Sequence, residues 1–451
     1  MDQSASEQNL TTHDPRWKSI VSWALGAALF VLVFRVLHLT SGTGGLATGV
    51  AVTITVTWTL TARRNANRRR QLWIAVWTLS LATVVWDGVT FARYVLKDNG
   101  DTATQRMTSW GRDHGLGGAI DWMETVVYSD PPSNKPAEQL TLAVSSTTTP
   151  STTTVLSEVT TTTIYTPSAP TPLTPSFSPA LGGEGQWQAV AQAHGMDAMW
   201  ATSLRPLADT GGIVATVVVI DQTYLRVGMF NGRETPGGTW VRDDHVPEEL
   251  WPSLVAAMNG GFRLEHSFGG YATEGKVVQT LLPGRATLAI TREGKLVIGE
   301  LGREIIDDGS WQSLRQNLVL LVDNGQSGID NAKRQHVYWG AMSTGEIFVN
   351  RSAVCELKDG RIGYVMVGKS NAPQLAQILI NVGCMKAVQL DINGSWPNFA
   401  LFTHFPNGTF AAATVDQRMS SDPMRYVKAS SREFFAFFDA ALVPAQSALD
   451  T

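Results

Sequence analysis

Three long apolar runs near the start of the chain constrain its architecture more than any other feature. They span residues 20–39, 46–62 and 72–96, and each is close to the roughly 20 helical residues that cross a bilayer. A cleaved signal peptide is the alternative for the first run, but no small-residue cleavage site follows it and two further runs do. The sequence therefore predicts a three-helix membrane anchor over residues 19–96, preceded by a tail at 1–18.

The arginine-rich stretch RRNANRRR, at residues 63–70, predicts the orientation of this anchor. Short loops rich in arginine stay in the cytoplasm. The tail at 1–18 is then cytoplasmic, and everything after the third run lies on the other side of the bilayer. We therefore predict a multi-pass protein of the cell membrane with an extracytoplasmic C-terminal domain, and the lipid bilayer as one of its partners.

Composition divides the remainder of the chain into three parts. Residues 97–130 form a membrane-proximal segment. Residues 131–180 are dominated by Ser, Thr and Pro, which bury too little apolar surface to offset the entropy of the chain. This linker is therefore predicted to be a disordered stalk that carries a domain at 181–451. A net charge of -4 over 451 residues does not provide the basic face that nucleic acids require, so no nucleic-acid partner is predicted.

The domain at 181–451 alternates short apolar runs with glycine-containing turns, which is typical of a strand-rich fold. REGK at 292–295 and KDGR at 358–361 predict the turns of two hairpins. We therefore assign the domain to the α+β class, with mixed sheets and a few helices. The predicted strands are 212–220, 224–230, 286–290, 295–298, 318–322, 347–349 and 362–367.

Two helices are predicted within this domain. Residues 247–259 have helical apolar spacing after the sequence DDHVPEELW. Residues 372–382 have the same spacing, with Pro373 in the first turn and Gly383 directly after the last, as helix ends favour. This second helix leads through a short loop into an apolar stretch at 386–396, so a helix followed by a strand is expected there.

That stretch, KAVQLDINGSW, is an alternating apolar run interrupted towards its end by Asp391, Asn393 and Ser395. One interpretation is a strand that runs into an Asn-Gly turn. The other is the edge of an active site, since the carboxyl end of such a strand commonly holds a ligand site. A second polar turn, NGGF at 259–262, also has two interpretations: a plain helix cap, or backbone that a ligand approaches closely.

Both cysteines of the chain, Cys355 and Cys384, lie in this domain. Outside the cytoplasm an even number of cysteines permits a disulfide, and we predict that these two form one. Two thiols that are buried independently are the alternative. Neither histidine nor a third cysteine lies at metal-ligand spacing from them, so no metal site and no cofactor are predicted.

Four segments, in this order, resemble the phosphodiester glycosidase family over roughly residues 216–403. That family includes the enzyme that removes N-acetylglucosamine from a phosphodiester to uncover mannose 6-phosphate, and bacterial relatives linked to exopolysaccharide. The resemblance implies a hydrolase that cleaves a sugar-1-phosphodiester, here in cell-wall or capsular glycan. The segments are NGGF from Asn259, the glycine turn with Gly269, Gly270, Glu274 and Gly275, RSAVCELKDGRI from Arg351, and NAPQLAQILINVGCMKAVQLDINGS from Asn371.

Cleavage at the sugar C1 atom needs charge stabilisation and a group that activates water or attacks, and most glycosidases use a pair of carboxylates. The family's LDGGGS signature falls on residues 390–395, which makes Asp391 the predicted base or nucleophile, with Glu274 and Glu265 as candidate partners. Arg351 is predicted to bind phosphate, because its planar fork matches phosphate oxygens. A structural ion pair is the alternative for Arg351, and a turn cap is the alternative for Asp391.

Substrate contacts are predicted around the same motifs, where Trp396 would stack on a sugar ring or fill the core. Two glycines of the family signature are replaced by Ile392 and Asn393. Asn tolerates left-handed backbone, whereas a β-branched residue does not. The altered loop leaves a second interpretation open, a catalytically inactive carbohydrate- or phosphoglycan-binding module on the same fold. The predicted substrate-binding residues are Asn259, Gly260, Gly261, Arg351, Asn393, Gly394, Ser395 and Trp396.

Overall fold

The structure is a computed structural model that describes residues 88–97, 101–143, 165–329, 339 and 347–451. The predicted cytoplasmic tail and the first two predicted membrane spans lie outside these residues, and only the end of the third span lies within them. Among the described residues, no helix is both long enough and apolar enough to span a bilayer.

The chain forms two compact units. The smaller one comprises Met1–Lys97 and Arg106–Ile120, and the larger one Asp98–Gln105 and Asp121–Thr451. Residues 88–95 are helical. The other described helices are α1 (Ala103–Gly111), a π-helical turn (Arg112–Leu116), α2 (Gly117–Val127), a 3-10 turn (Glu248–Ser253), α3 (Leu264–Ser267), α4 (Ala372–Val382), α5 (Arg425–Lys428) and a second 3-10 turn (Ala448–Asp450). All the described strands belong to the larger unit, which therefore holds the predicted domain.

The strands of the larger unit are mostly short. In chain order they are β1 (Gln188–Ala193), β2 (Met196–Leu204), β3 (Ala215–Ile220), β4 (Leu225–Phe230), β5 (Leu254–Asn259), β6 (Tyr271–Thr273), β7 (Lys276–Gln279), β8 (Ala286–Ile290), β9 (Leu296–Glu300), β10 (Ser313–Gln316), β11 (Val322–Asp323), β12 (Gln326–Ser327), β13 (Val349–Leu357), β14 (Ile362–Ser370), β15 (Cys384–Ile392), β16 (Phe399–His404), β17 (Phe410–Thr414) and β18 (Phe434–Asp439).

These strands form three sheets, which we call A, B and C. Sheet A has the order β1-β2-β3-β14-β13-β15-β11-β12, sheet B the order β7-β6-β10-β8-β9, and sheet C the order β17-β16-β5-β18-β4. Every pairing between these strands is antiparallel. The strand-rich α+β class is thus confirmed for the described residues, whereas the prediction of mixed sheets is wrong.

The main core lies between the sheets. One face of sheet A, including Val354 and Leu390, packs against residues of sheets B and C. Its opposite face packs against the apolar side of α4, which contributes Leu375, Ile378 and Leu379 to a second cluster. Because both faces of sheet A are covered, its central strands are buried almost throughout, and a charged side chain there must have a specific partner.

Helix α4 and two hairpins form as their local sequence predicts. Asn371 and Gln374 make a capping box, in which the Asn371 side chain accepts from the Gln374 backbone amide at 2.8 Å. Gly383 ends the helix in a left-handed conformation with φ of 97°. The REGK turn joins β8 to β9 and the KDGR turn joins β13 to β14, both as antiparallel hairpins. These signals are local in sequence, and tertiary contacts did not override them.

Residues 247–259 do not form the predicted helix. Only a 3-10 turn is present at Glu248–Ser253, and the run LVAAMN continues as β5 between β16 and β18. A central strand buried on both faces reads as a continuous apolar run, which periodicity cannot distinguish from a buried helical segment. The NGGF turn therefore follows a strand. Of the predicted strand at 318–322, only Val322 is paired, at the start of β11.

Both described ends of the predicted stalk lie against the domain. In the first, Leu142 forms a β-bridge with Asp416, and the Ala143 amide donates to the Val415 carbonyl at 2.9 Å. In the second, the Leu173 amide donates to the Gly185 carbonyl at 3.0 Å. Residues 131–143 and 165–180 are thus not unfolded, because single apolar side chains and backbone hydrogen bonds hold them. The middle of the stalk lies outside the described residues.

Cys355 of β13 and Cys384 of β15 form a disulfide between neighbouring strands of sheet A. Both residues are buried and belong to the cluster between the sheet and α4. The bond therefore ties the strand that carries Asp391 to the strand that carries Arg351.

Candidate functional site

Asp391 lies near the carboxyl end of β15, at an irregularity in the strand pairing. Arg351 pairs with Ile392 whereas Ala353 pairs with Gln389, so β15 has one residue more than β13 over this interval. An extra residue of this kind bends a strand and redirects a side chain. Asp391 is 9% exposed, and its amide donates to the Gly260 carbonyl at 3.0 Å. The strand end and the NGGF turn are thereby joined.

The Asp391 carboxylate is paired with a cation. Its Oδ2 atom lies 3.2 Å from Nη2 of Arg432, and its Oδ1 atom accepts from the Ile392 amide at 2.9 Å. Burial raises the pKa of Asp391 from 3.8 to about 6, although Arg432 and this hydrogen bond oppose the rise and the nearby Glu433 carboxylate adds to it. A carboxylate with this pKa is mostly ionised at pH 7 but still a useful base.

The NGGF turn is held by Glu433, which directly precedes β18. The amide of Gly260 donates to the Glu433 carbonyl at 3.1 Å, and the amide of Gly261 donates to its Oε1 atom at 3.0 Å. The same carboxylate accepts from Nε of Arg315 at 2.8 Å. A Cβ atom on Gly260 would lie 2.6 Å from the Glu433 carbonyl oxygen. The two glycines are therefore needed for close packing, and neither has a positive φ.

Asn259 organises the interior of the turn. Its Oδ1 atom accepts from the Tyr364 hydroxyl and from the Asn398 amide, each at 3.0 Å. Its Nδ2 atom donates to the Gly260 carbonyl at 3.0 Å and to Oγ of Ser352 at 3.1 Å. Both functions of the amide are used within the protein, so Asn259 positions the turn, and its contact with substrate stays a prediction.

The altered glycine loop after Asp391 adopts a compact turn. Asn393 has the left-handed backbone that its residue type tolerates, with φ of 88°, and Ile392 ends β15 without a positive φ. The Ser395 amide donates to Oδ1 of Asn393 at 3.0 Å. Gly394 is exposed, and a Cβ atom there would meet nothing within 4 Å. Trp396 is buried, and its ring lies 5.1 Å from the Arg432 guanidinium carbon.

Arg351 does not join this site. It is 1% exposed, and its guanidinium donates to the carbonyls of Ser370 at 2.8 Å and Trp339 at 2.9 Å. Strand alternation sets it on the face of β13 opposite to Ser352, whose hydroxyl donates to the Asp391 carbonyl at 2.9 Å. Its described partners are thus backbone carbonyls within the sheet, and its contact with phosphate stays a prediction.

The two glutamates predicted as partners of Asp391 are engaged elsewhere. Glu274 accepts from the backbone amides of Val241 at 3.0 Å and Arg242 at 2.8 Å, which anchors a neighbouring loop. Glu265 is exposed at the surface, and its carboxylate lies 3.7 Å from Nη1 of Arg263. The structure brings neither of them into the hydrogen-bonded cluster around Asp391.

Sequence reasoning missed the residues that surround Asp391 from the end of the chain. Arg432 pairs with Asp391, Glu433 holds the turn, and Arg425 lies 5.3 Å from the Trp396 ring. One signal was present: a charged Arg-Glu pair directly precedes the aromatic strand FFAFF. Within the described residues, no group of His, Cys, Asp and Glu side chains is arranged to hold a metal ion.

The site therefore combines a buried carboxylate with a buried arginine where the ends of two sheets meet. Residues 252–396 match the family described as phosphodiester glycosidase. The segment that carries the NGGF turn and Asp391 thus matches the phosphodiester glycosidase family, and the resemblance predicted from the motifs is confirmed for these residues. The match covers less than half of the chain.

Solved structures with a similar chain course are distant in sequence. The catalytic domain of zebrafish N-acetylglucosamine-1-phosphodiester alpha-N-acetylglucosaminidase is 20% identical, with a TM-score of 0.36, and the match covers 56% of this chain and 87% of that one. A hypothetical protein from Synechocystis is 13% identical, with a TM-score of 0.37 and coverage of 55% and 64%. A putative exported protein from Burkholderia pseudomallei is 13% identical, with a TM-score of 0.28 and coverage of 51% and 75%. No curated protein matches the sequence.

Proposed function

We propose that this chain is a membrane-anchored hydrolase that cleaves a sugar-1-phosphodiester, with Asp391 as the base or nucleophile. The observation that carries the proposal is the buried Asp391 carboxylate at the end of β15, 3.2 Å from Arg432. A rigid strand fixes the carboxylate, and the arginine supplies positive charge where the phosphate leaves. The family assigned to residues 252–396 supports the same reaction.

Two contributions to the reaction follow from this geometry. The ionised carboxylate accepts a proton from water as the C1–O bond breaks, or it attacks C1 directly. The phosphate is a good leaving group, so a cation that stabilises its charge is of more use than a strong acid. Arg432 fills this role in the proposal, in place of Arg351.

The proposal also includes the location and the source of the substrate. The three apolar runs and the arginine-rich stretch at 63–70 support an anchor with the catalytic domain outside the cytoplasm. An enzyme held there would meet the phosphoglycans of a cell wall or capsule. The substrate class is thus a wall or capsular glycan with sugar-1-phosphodiester linkages.

A catalytically inactive binding module is the second candidate. It is favoured by one observation: Glu274 and Glu265, the predicted partner carboxylates, lie outside the cluster around Asp391. The carboxylate that does lie close, Glu433, is tied to Arg315 at 2.8 Å and is 1% exposed. A module of this type would bind the same phosphoglycan and release nothing.

Substitution of Asp391 tests the proposal. Full-length protein and its Asp391→Asn variant are incubated with a panel of sugar-1-phosphodiesters, and the released sugar is measured. Asn keeps the shape and the turn but not the charge. We therefore expect hydrolysis by the variant to fall by about 10²–10⁴-fold, while its melting temperature does not fall below that of the wild type, because the buried charge is removed.

The matched control is Asp307→Asn, since Asp307 is an exposed acid of the same type and its variant should hydrolyse normally. Normal hydrolysis by Asp391→Asn would instead make Asp391 a turn cap, because both residues cap well. Wild type that binds these compounds but cleaves none of them would support the binding module.

A further inference from the structure

Two buried arginines lie beside the same tryptophan, next to Asp391. The guanidinium carbons of Arg432 and Arg425 lie 5.1 Å and 5.3 Å from the centre of the Trp396 ring. Arg432 is 6% exposed, Arg425 is 3% and Trp396 is 8%. Two like charges so deeply buried repel each other and are costly to desolvate, and each is paired with a carboxylate, Arg432 with Asp391 and Arg425 with Asp101.

Each of the two guanidinium groups has more N–H donors than its described contacts use. Nη2 of Arg432 donates to the Gly261 carbonyl at 3.0 Å and lies 3.2 Å from Asp391. Nη2 of Arg425 lies 2.8 Å from an Asp101 carboxylate oxygen. Within the described part of the chain, the Nε atoms of both arginines are buried and have no acceptor. Buried donors without an acceptor are uncommon and point to a ligand.

Weaker contacts with hydroxyl groups complete the surroundings of Arg425. Its Nη1 atom lies 3.4 Å from Oγ of Ser421, and its Nη2 atom lies 3.3 Å from Oγ of Ser430. These hydroxyls donate onward to backbone carbonyls, Ser421 to Ser395 and Ser430 to Arg432, and Nε2 of Gln105 also donates to the Ser395 carbonyl, at 2.8 Å. The donors left for a ligand beside Trp396 are therefore guanidinium N–H groups, which suit an oxyanion.

We propose that Arg425 and Arg432 form an anion subsite beside Trp396 that binds the phosphate group of the substrate. The proposal rests on the proposed function, because it assigns the phosphate half of the phosphodiester to these residues. Arg432 belongs to this subsite and also lies 3.2 Å from Asp391, so a phosphate bound there has its ester-linked sugar directed towards the carboxylate. Asp101 holds the Arg425 guanidinium in this structure, and phosphate therefore competes with its carboxylate.

Titration of inorganic phosphate into full-length protein tests the subsite, with the heat of binding as the readout. Arg425→Lys keeps the charge but not the planar fork, so we expect it to bind phosphate about tenfold more weakly or worse. Asp101→Asn removes the competing charge, so we expect tighter binding than in the wild type. Arg292→Gln, at an exposed arginine, is the control and should bind as the wild type does.

Phosphate binding that neither Arg425→Lys nor Asp101→Asn changes would overturn the subsite. If Arg425→Lys does not fold, the comparison of Asp101→Asn with the wild type decides alone. In that case, phosphate affinity of Asp101→Asn that is no higher than that of the wild type would overturn the proposal. Hydrolysis measured on the same preparations separates the two proposals. Phosphate binding that depends on Arg425, without any hydrolysis, would refute the enzyme and leave the subsite standing.

Discussion

Asp391 has a pKa that depends on opposing neighbours. Burial and the Glu433 carboxylate raise the pKa to about 6, while Arg432 lowers it. Because the pKa rises from 3.8 to about 6, the folded state binds this proton more tightly than the unfolded chain does. Above about pH 6 the ionised carboxylate therefore lowers the free energy of unfolding by about 3 kcal/mol. Protonation of Asp391 stabilises the fold, so a loss of activity at low pH that is caused by this protonation is not the result of unfolding.

The pH dependence of kcat/KM tests this assignment at the residue scale. Because the reaction needs the ionised carboxylate, we expect activity to decline as the pH falls through about 6. Arg432→Gln removes the cation that lowers the pKa of Asp391, so this acid limb should move to higher pH as the overall rate drops. A limb that stays in place in Arg432→Gln would show that another group titrates. Arg292→Gln provides the charge-matched control.

At the scale of elements, the site exists because three segments distant in sequence meet at the ends of two sheets. β15 delivers Asp391, the turn after β5 accepts its amide at Gly260, and the residues before β18 supply Arg432 and Glu433. The turn is packed so closely against Glu433 that no side chain fits at Gly260. Glycine at position 260 therefore allows the turn to pack against Glu433 and so bring the three segments together.

A matched pair of glycine substitutions tests that packing. Gly260→Ala places a Cβ atom 2.6 Å from the Glu433 carbonyl oxygen, and we expect it to lower the free energy of unfolding by about 1–3 kcal/mol. Gly394→Ala meets nothing within 4 Å and has no positive φ, so its stability should match the wild type. Chemical denaturation of the two variants measures the difference. Equal stability of both would show that the turn can move away from Glu433.

At the scale of the whole molecule, described residues that precede residue 181 contact the domain. Asp101 pairs with Arg425 at 2.8 Å, and Leu142 and Leu173 pack against the two main clusters of the core. Segments with a polar average composition are thus fixed by a few contacts. A fragment that begins at residue 181 would lack these contacts.

The proposed location outside the cytoplasm can be tested with fusions to a reporter enzyme that is active only there. Because the arginine-rich stretch at 63–70 should remain in the cytoplasm, a reporter fused after Leu96 should be active. The same reporter fused after Arg70 should be inactive and serves as the control. The reverse pattern would place the domain in the cytoplasm and remove the argument for a wall or capsular substrate.

The sequence by itself determined the features whose signals are local. The caps and apolar spacing of α4, the two charged hairpin turns and the strand that ends near Asp391 each depend on residues a few positions apart. Short-range hydrogen bonds and backbone preferences decide such elements. The motif order was also sufficient to indicate the family.

Only the tertiary structure decided which side chains meet. Arg351 and Ser352 are neighbours in sequence, yet alternation along β13 places them on opposite faces, and an extra residue in β15 sets where Asp391 lies. The cation beside Asp391 comes from Arg432, which no local pattern links to β15. The direction of a side chain depends on strand register and on long-range packing, and these are properties of the assembled sheets.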